Sequence, residues 1–474
     1  GSNNYYTEAV AGAAAKGNAA VAGAFSVDLF RNVTEATIGK GVVLTTYGSQ
    51  PEAVPGTPNP EKLGVEVSSR SDVKAISFAG AVAGAKKAGV GVSNTDIVNY
   101  DETLASIGSS ATVKSTGSGA GVKVAADAAQ DIANVSVSGA AGTESTGVAG
   151  VLGINVSMNK AEAKVGDGAT VTAEGDAIVK ATNDSTMVMV AGGVAGGKEV
   201  GVGGAIAANV VWNRTYASVG EGAEIDAKKT TTVAAEARET AVNAVVAGAG
   251  GGKAGVAAAL SINASFVDTE ASVGQAAKIN TDAAFSAADQ AVDLHARDDT
   301  VVVGIAGGGA GGGKAGVGAA LDTTILAKTV KAFVADDTKV DGKVATVQAA
   351  KDVAVDATAT ENIVSVTAGC AGGGSAGVGG AVSVAVSVND VQAYVGKSAT
   401  VDANGNVLIN AQDDITAVLT AGSAAGGGDA GVGGSLAVAT LHGYDHTPAH
   451  TTSAGYGCLL YVDLDHFKST NDTH

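Results

Sequence analysis

Relative to Gly255, the apolar residues Val256, Leu260 and Ile262 fall at offsets +1, +5 and +7, and relative to Gly377 the same offsets hold Val378, Val382 and Val384. Odd spacing with small or polar residues between is a period of two, the signature of a β-strand, and it assigns these residues to a buried face. Each such run follows a small-residue turn (GGGKAG within Ala249–Gly274) and closes on a short A-x-V-G signature. Further strand-like runs follow the signature, such as Ala276–Asn280 or Ala399–Asp402, then Val407–Gln412. The Ala-rich stretch Lys123–Val135 could suggest a helix, but the recurrent Gly and Val elsewhere disfavour one.

The unit recurs. Openings occur at Gly147, Gly201, Gly255, Gly316, Gly377 and Gly431, with a looser one at Gly89 and a degenerate one near Ala20. Closing signatures read Ala163–Gly166, Ala217–Gly220, Ala271–Gly274 and Ala393–Gly396, with variants at Ala36–Gly39, Ala105–Gly108 and Ala332–Ala335. Wherever both are present the opening precedes the signature by 16 positions, as in 201 to 217 and 255 to 271. The step between openings is 54 (147 to 201), 58 (89 to 147) or 61 (255 to 316). A fixed offset inside a variable period describes one rigid unit joined by loops that accept insertions. The expected fold is all-β, a repetitive β-solenoid of 54–61-residue units, each making two to three coils of about 20 residues. The alternative is a stack of long antiparallel hairpins about each GGGK turn. Residues 1–440 form the repeat region, interrupted by a Pro-rich loop insertion at 43–70 that holds Pro51, Pro55, Pro58 and Pro60. A charge at Val378 is expected to damage the core and one at Lys314 to be nearly neutral.

Composition narrows the picture. The chain is 46% hydrophobic but only 4% aromatic, with 69 Gly, so its core is thin and built mainly from Ala and Val. The net charge of −18 argues against nucleic acid as a partner. Two cysteines, Cys370 and Cys458, make no disulfide framework. The chain is not expected to span a membrane in this segment: its most apolar window, Ala241–Ile262, is Gly-rich and carries Lys253. With no initiating Met, it reads as a piece of a longer protein.

Little catalytic chemistry is evident, and no cofactor is expected. Gly308–Lys314 approximates a phosphate-binding loop, but the Lys314 slot is Glu199, Ser375 or Asp429 in other units, as suits a solvated turn. The acidic pairs Asp298–Asp299, Asp336–Asp337 and Asp413–Asp414 lack a calcium-binding repeat around them and read as solvated loop charges. His295 is the only histidine before residue 442, which removes the commonest general base from the repeats. His442, His446 and His450 have i, i+4 spacing, but Pro448 and Gly443 oppose the helix that would gather them on a metal.

The segments Gly311–Leu321 (GGGKAGVGAAL) and Ala371–Val384 (AGGGSAGVGGAVSV), with the A-x-V-G signatures, resemble the Ala/Gly/Val-rich filamentous adhesins and leukotoxin-type exoproteins that Gram-negative bacteria export by autotransporter or two-partner secretion. The resemblance implies a β-helical stalk, an extracellular or cell-surface location, a host or cell-surface ligand, and room for lateral or end-to-end self-association. The repeat grammar stops near Leu441, and 441–457 reads as a linker or junction. The last stretch, Cys458–His474, resembles the opening of a GGDEF diguanylate cyclase domain through D-x-D-x-F-K-x-x-N-D. That resemblance implies a magnesium ligand at Asp463 and a guanine contact at Asn471. The GG[DE]EF loop is not in the sequence, so no cyclase activity is expected of the chain as given. The functional expectation is a non-catalytic stalk segment; the alternative is a signalling protein bearing a truncated cyclase module.

Overall fold

The computed structural model describes residues 2–48, 63–336, 344–446 and 453–461. Within these the regular elements are strands, apart from one 3-10 turn at Ala283–Phe285. The suspected helix at Lys123–Val135 lies inside the strand Gly121–Gly142. A typical unit consists of two long strands, Ala177–Gly197 and Val200–Val219, and one short strand, Glu224–Ala227. Each pairs in parallel with its counterpart in the next unit: Thr230–Gly251, Ala254–Val273 and Lys278–Ile279. The result is two long sheets and one short sheet, of eight, nine and seven strands, consistent with a β-solenoid.

One unit is one coil. The expectation of two to three coils per unit fails because the long runs are never broken: each continues for about 20 residues before it turns. The hairpin alternative fails on hydrogen bonding. The strands flanking a GGGK turn run in opposite directions, but each bonds to the neighbouring coil, and the two face each other only through side chains. At about 3.3 Å per residue and about 4.8 Å between strands, a coil is roughly 70 Å long and advances the stack by under 5 Å. The body is a blade.

The interior changes along the strands. Beside the GGGK turns the two sheets nearly touch. A Cβ on Gly308 would lie 2.0 Å from the carbonyl oxygen of Ala319, and one on Gly312 would lie 1.8 Å from that of Ala315. Gly and Ala predominate there, with Ala205, Ala207, Ala257 and Ala259 buried between the sheets beside Val151. At the opposite end the short sheet packs against a wider core of Val219, Val273, Ile225, Ile279 and Leu294. The closing signature belongs to this end. Its Ala and Val enter the core, while its Gly lets coils stack: a Cβ on Gly220 would sit 2.9 Å from the carbonyl carbon of Gly166.

The faces are the reverse of those expected beside the turns. Val256, Val317 and Val378 are 38%, 38% and 44% exposed, whereas Ala257 and Ala381 are buried. Strand parity explains this. The signature residues at even offsets occupy the core, and a strand without a bulge cannot place odd offsets on the same side.

The variable period also has a place. GGGK turns stay short, such as the two residues 252–253 and 313–314, while extra residues collect around the short sheet. The Pro-rich insertion is narrower than 43–70. Val43–Thr46 is a strand of the short sheet and Leu63–Ala85 a long strand; the four prolines lie outside the described residues. At the other end, Ala430–His446 stays in parallel register to Gln392↔His446, beyond Leu441, and Ser453–Tyr461 adds an antiparallel strand.

Two stability predictions follow from the corrected faces. Ala381→Asp places a carboxylate between the sheets and is expected to cost several kcal/mol in denaturant unfolding, more than the outward-facing Val378→Asp, while Lys314→Asp stays within about 1 kcal/mol. Ala276 holds φ +53° at a corner where Gly222 holds +62°. Ala276→Gly is therefore expected to raise stability by roughly 0.5–1 kcal/mol in the same assay.

Candidate functional site

Between the Gly/Ala zone and the Val/Ile core, the two sheets enclose a polar ladder. Asn155 donates to Asn209 Oδ1 at 2.9 Å, and Asn209 donates to Asn243 Oδ1 at 2.7 Å. Asn159 donates to Asn183 at 2.6 Å, and Ser157 to Gln130 at 2.8 Å. Equivalent positions of successive coils lie one strand spacing apart, so an amide in one coil reaches the amide of the next without leaving its rotamer. The ladder gives many of the polar groups in the narrow gap a partner.

In the later coils this ladder becomes ionic. Lys328 occupies the column that holds Asn213 two coils earlier and Asn389 in the next. Its ammonium lies 2.5 Å from Asp298 and 2.6 Å from Glu361, and all three side chains are fully buried. Burial opposes the lysine charge, but the two carboxylates outweigh it and hold Lys328 above the usual ammonium range. Burial pushes Glu361 up to about 8, with Lys328 offsetting part of the rise and Asp413 adding to it. Glu239, hydrogen-bonded by Asn213 and Ser265, is pushed by burial to about 7. These are acid–base groups with perturbed affinities, the kind that mark many active sites. Here they are sealed between the two long sheets.

The outward charges form cross-coil ladders. On the first long sheet Lys180 meets Glu236 at 2.7 Å, and His295 meets Glu236 at 3.3 Å and Asp293 at 3.2 Å. Hydrogen bonds that its ring donates to Asp293 and Glu236 raise His295 to about 9. On the second long sheet the outward side chains beside the turns are apolar. A furrow of about 620 Å³ runs across the strands there, floored by Gly204, Ala258, Ala319 and Gly380 and walled on one side by Ile206, Leu260, Leu321 and Val382. On its other side stands a valine row, Val202, Val256, Val317 and Val378.

The sequence candidates do not converge. Gly308–Lys314 bridges two strands, with no helix after it to bind phosphate. Asp298 and Asp299 point to opposite faces: the first meets Lys328 inside and the second meets Arg297 outside. Asp413 likewise meets Asn389, and Asp414 meets Gln412. These pairs are strand residues, not loop charges, and alternation keeps neighbours from sharing a cation. His442 and His446 lie on an extended strand, where positions four apart are separated by about 13 Å. His450, Asp463 and Asn471 lie outside the described residues. Among the described residues no three His, Cys, Asp or Glu side chains gather as a metal site, and no helix is long and apolar enough to cross a membrane. The ionic cluster and the furrow were missed because both depend on which parity faces inward. A legible signal for the first is the column Asn159, Asn213, Lys328, Asn389, which puts amides and a lysine at one offset.

Comparison of the chain with protein-family models, with curated proteins and with solved structures finds no match in any of the three.

The cluster gives a pH prediction. Glu239 and Glu361 hold their protons more tightly folded than unfolded, so their contribution favours the folded state below the unfolded carboxylate range. It is lost as pH rises through about 7 and about 8. The melting temperature is expected to fall between pH 5 and 8.5. Glu239→Gln should flatten that fall by an amount on the order of 3 kcal/mol at most. An unchanged slope in the variant would remove Glu239 from the account.

Proposed function

We propose that the chain is a non-catalytic structural segment of a secreted or surface-exposed bacterial exoprotein of the adhesin or leukotoxin type, acting through its outer faces. The observation that supports this most is where the chemistry sits. Lys328, Asp298, Glu361 and Glu239 are sealed between the sheets, and solvent meets a flat, repeated surface. The coil dimensions refine the stalk reading. A 54-residue coil that advances the stack by under 5 Å is an inefficient spacer and an efficient way to build area. In this reading the ligand is a host or cell-surface molecule, no cofactor is needed, the segment does not span a membrane, and the net charge of −18 disfavours nucleic acid. A second reading, a signalling protein with a diguanylate cyclase module, rests on the motif around Asp463 and Asn471.

Antibodies raised against the chain are expected to label intact, unpermeabilised cells of the source bacterium. Signal only after permeabilisation would overturn the surface reading. The purified chain given GTP and magnesium is expected to make no cyclic dinucleotide; product formation would favour the second reading.

A further inference from the structure

The second long sheet carries an outward apolar face that nothing in the described residues covers. Number the outward positions from each opening Gly, and six successive coils, from Gly147 to Gly431, show no Lys, Arg, Asp or Glu between offsets −1 and +11. The face is patterned. Offset +1 is a valine ridge, +3 a furrow of Gly or Ala, and +5 a Leu, Ile or Val ridge. At one end Val92 stands at the furrow position and blocks it. At offset +11 Trp212 and Phe266 stack at 5.5 Å. Water contact with so much aliphatic surface is costly.

We propose that this face packs against the same face of a second copy of the chain, with the two-fold axis parallel to the direction of coil stacking. Period matching singles out that occupant. The ridges and furrow are interrupted once per coil, about every 4.8 Å, and an object that interlocks with them along six coils needs the same repeat. A second copy has it by construction. The axis follows from the pattern. A two-fold along the stacking direction reverses the strands, so a contact of +5 with +3 implies the reciprocal contact of +3 with +5. Each Leu/Ile ridge then fills the other copy's furrow. A two-fold along the strands would set ridge on ridge.

Two further features agree with this placement. Centring the axis at offset +4 overlays the charge-free bands of the two copies almost completely. It also brings the turn lysines at offset −2, Lys253 and Lys314, next to the Trp212–Phe266 row of the second copy, where an ammonium over an aromatic face is favourable. The area is sufficient. About 13 positions at about 3.3 Å and six coils at about 4.8 Å give roughly 1,200 Å² per copy, above the usual 800 Å² per partner of a stable complex. The first long sheet has no equivalent furrow: Val194 and Cys370 share a column with Gly248 and Gly309. The inference needs only the face and not export, so it stands or falls separately from the functional reading.

The test is sedimentation velocity on the full chain from 1 to 50 μM. Wild type is expected to be a dimer, and Leu260→Lys/Leu321→Lys monomeric, with a dissociation constant raised at least tenfold. Val246→Lys/Ile305→Lys, on the outer face of the other long sheet, should leave the dimer intact. Both pairs point outward, and far-ultraviolet circular dichroism checks that each variant is folded. Ala258→Leu/Ala319→Leu adds apolar surface but fills the furrow. It is expected to weaken the dimer, whereas tighter association would overturn interlocking in favour of unspecific adhesion. A monomeric wild type would overturn the proposal. So would a wild type that is monomeric and co-sediments with phosphatidylcholine vesicles, which would assign the face to lipid.

Discussion

Everything in this protein depends on parallel, in-register backbone pairing between coils. Each residue sits about 4.8 Å above its counterpart in the preceding unit, so a column of the fold is a column of like environments. Small residues stack without strain, amides stack with hydrogen bonds, and aromatic rings stack face to face, as Phe333 does on Tyr394 at 5.0 Å. Like charges would repel, and several columns alternate in sign instead. Lys253 sits beside Glu199 and Lys228 beside Glu174, both at 2.6 Å. The sequence repeat is loose in identity because the ladder constrains backbone register and packing room rather than the residue.

The same ladder allows an interior that a globular domain would rarely tolerate. Beside the turns the sheets approach closely, so hydrophobic burial there rests mainly on Ala methyl groups, with Val151 and Val245 among them. The Asn and Ser columns contribute hydrogen bonds instead, and the wide end contributes the Val/Ile/Leu core. A buried ionic triad contributes little net stability compared with an apolar replacement, but removing one member is costly. Lys328 bonds Asp298 in its own coil and Glu361 in the next, so the cluster links two adjacent coils.

Much of this was legible. Strand content, the repeat, its rigid offset and the insertion-tolerant joints all follow from spacing and column composition. Coil size and facing did not. The apolar set at +1, +5 and +7 looks like a core because it is apolar, yet Ala217 and Val219 at +16 and +18 have the other parity on the same unbroken strand. Both sets cannot be buried, and the tie is settled by the glycines: a face of Gly201, Gly203 and Ala205 is what two sheets in close contact require. Hydrophobicity and packing distance made opposite demands, and packing distance prevailed. The ionic cluster was hidden for the same reason, since a Lys such as Lys328 on a presumed solvent face attracts no notice.

The thin advance per coil has a kinetic meaning. Contacts run within a coil or between adjacent coils, so the free energy of the stack is close to a sum of one term per coil and one per junction. Joining the first two coils closes a loop of more than fifty residues before any ladder bond rewards it, while every later coil lands on a finished template. The molecule should therefore order as a one-dimensional crystal does, with a slow seed, rapid lengthening and a growth front that looks the same at every step.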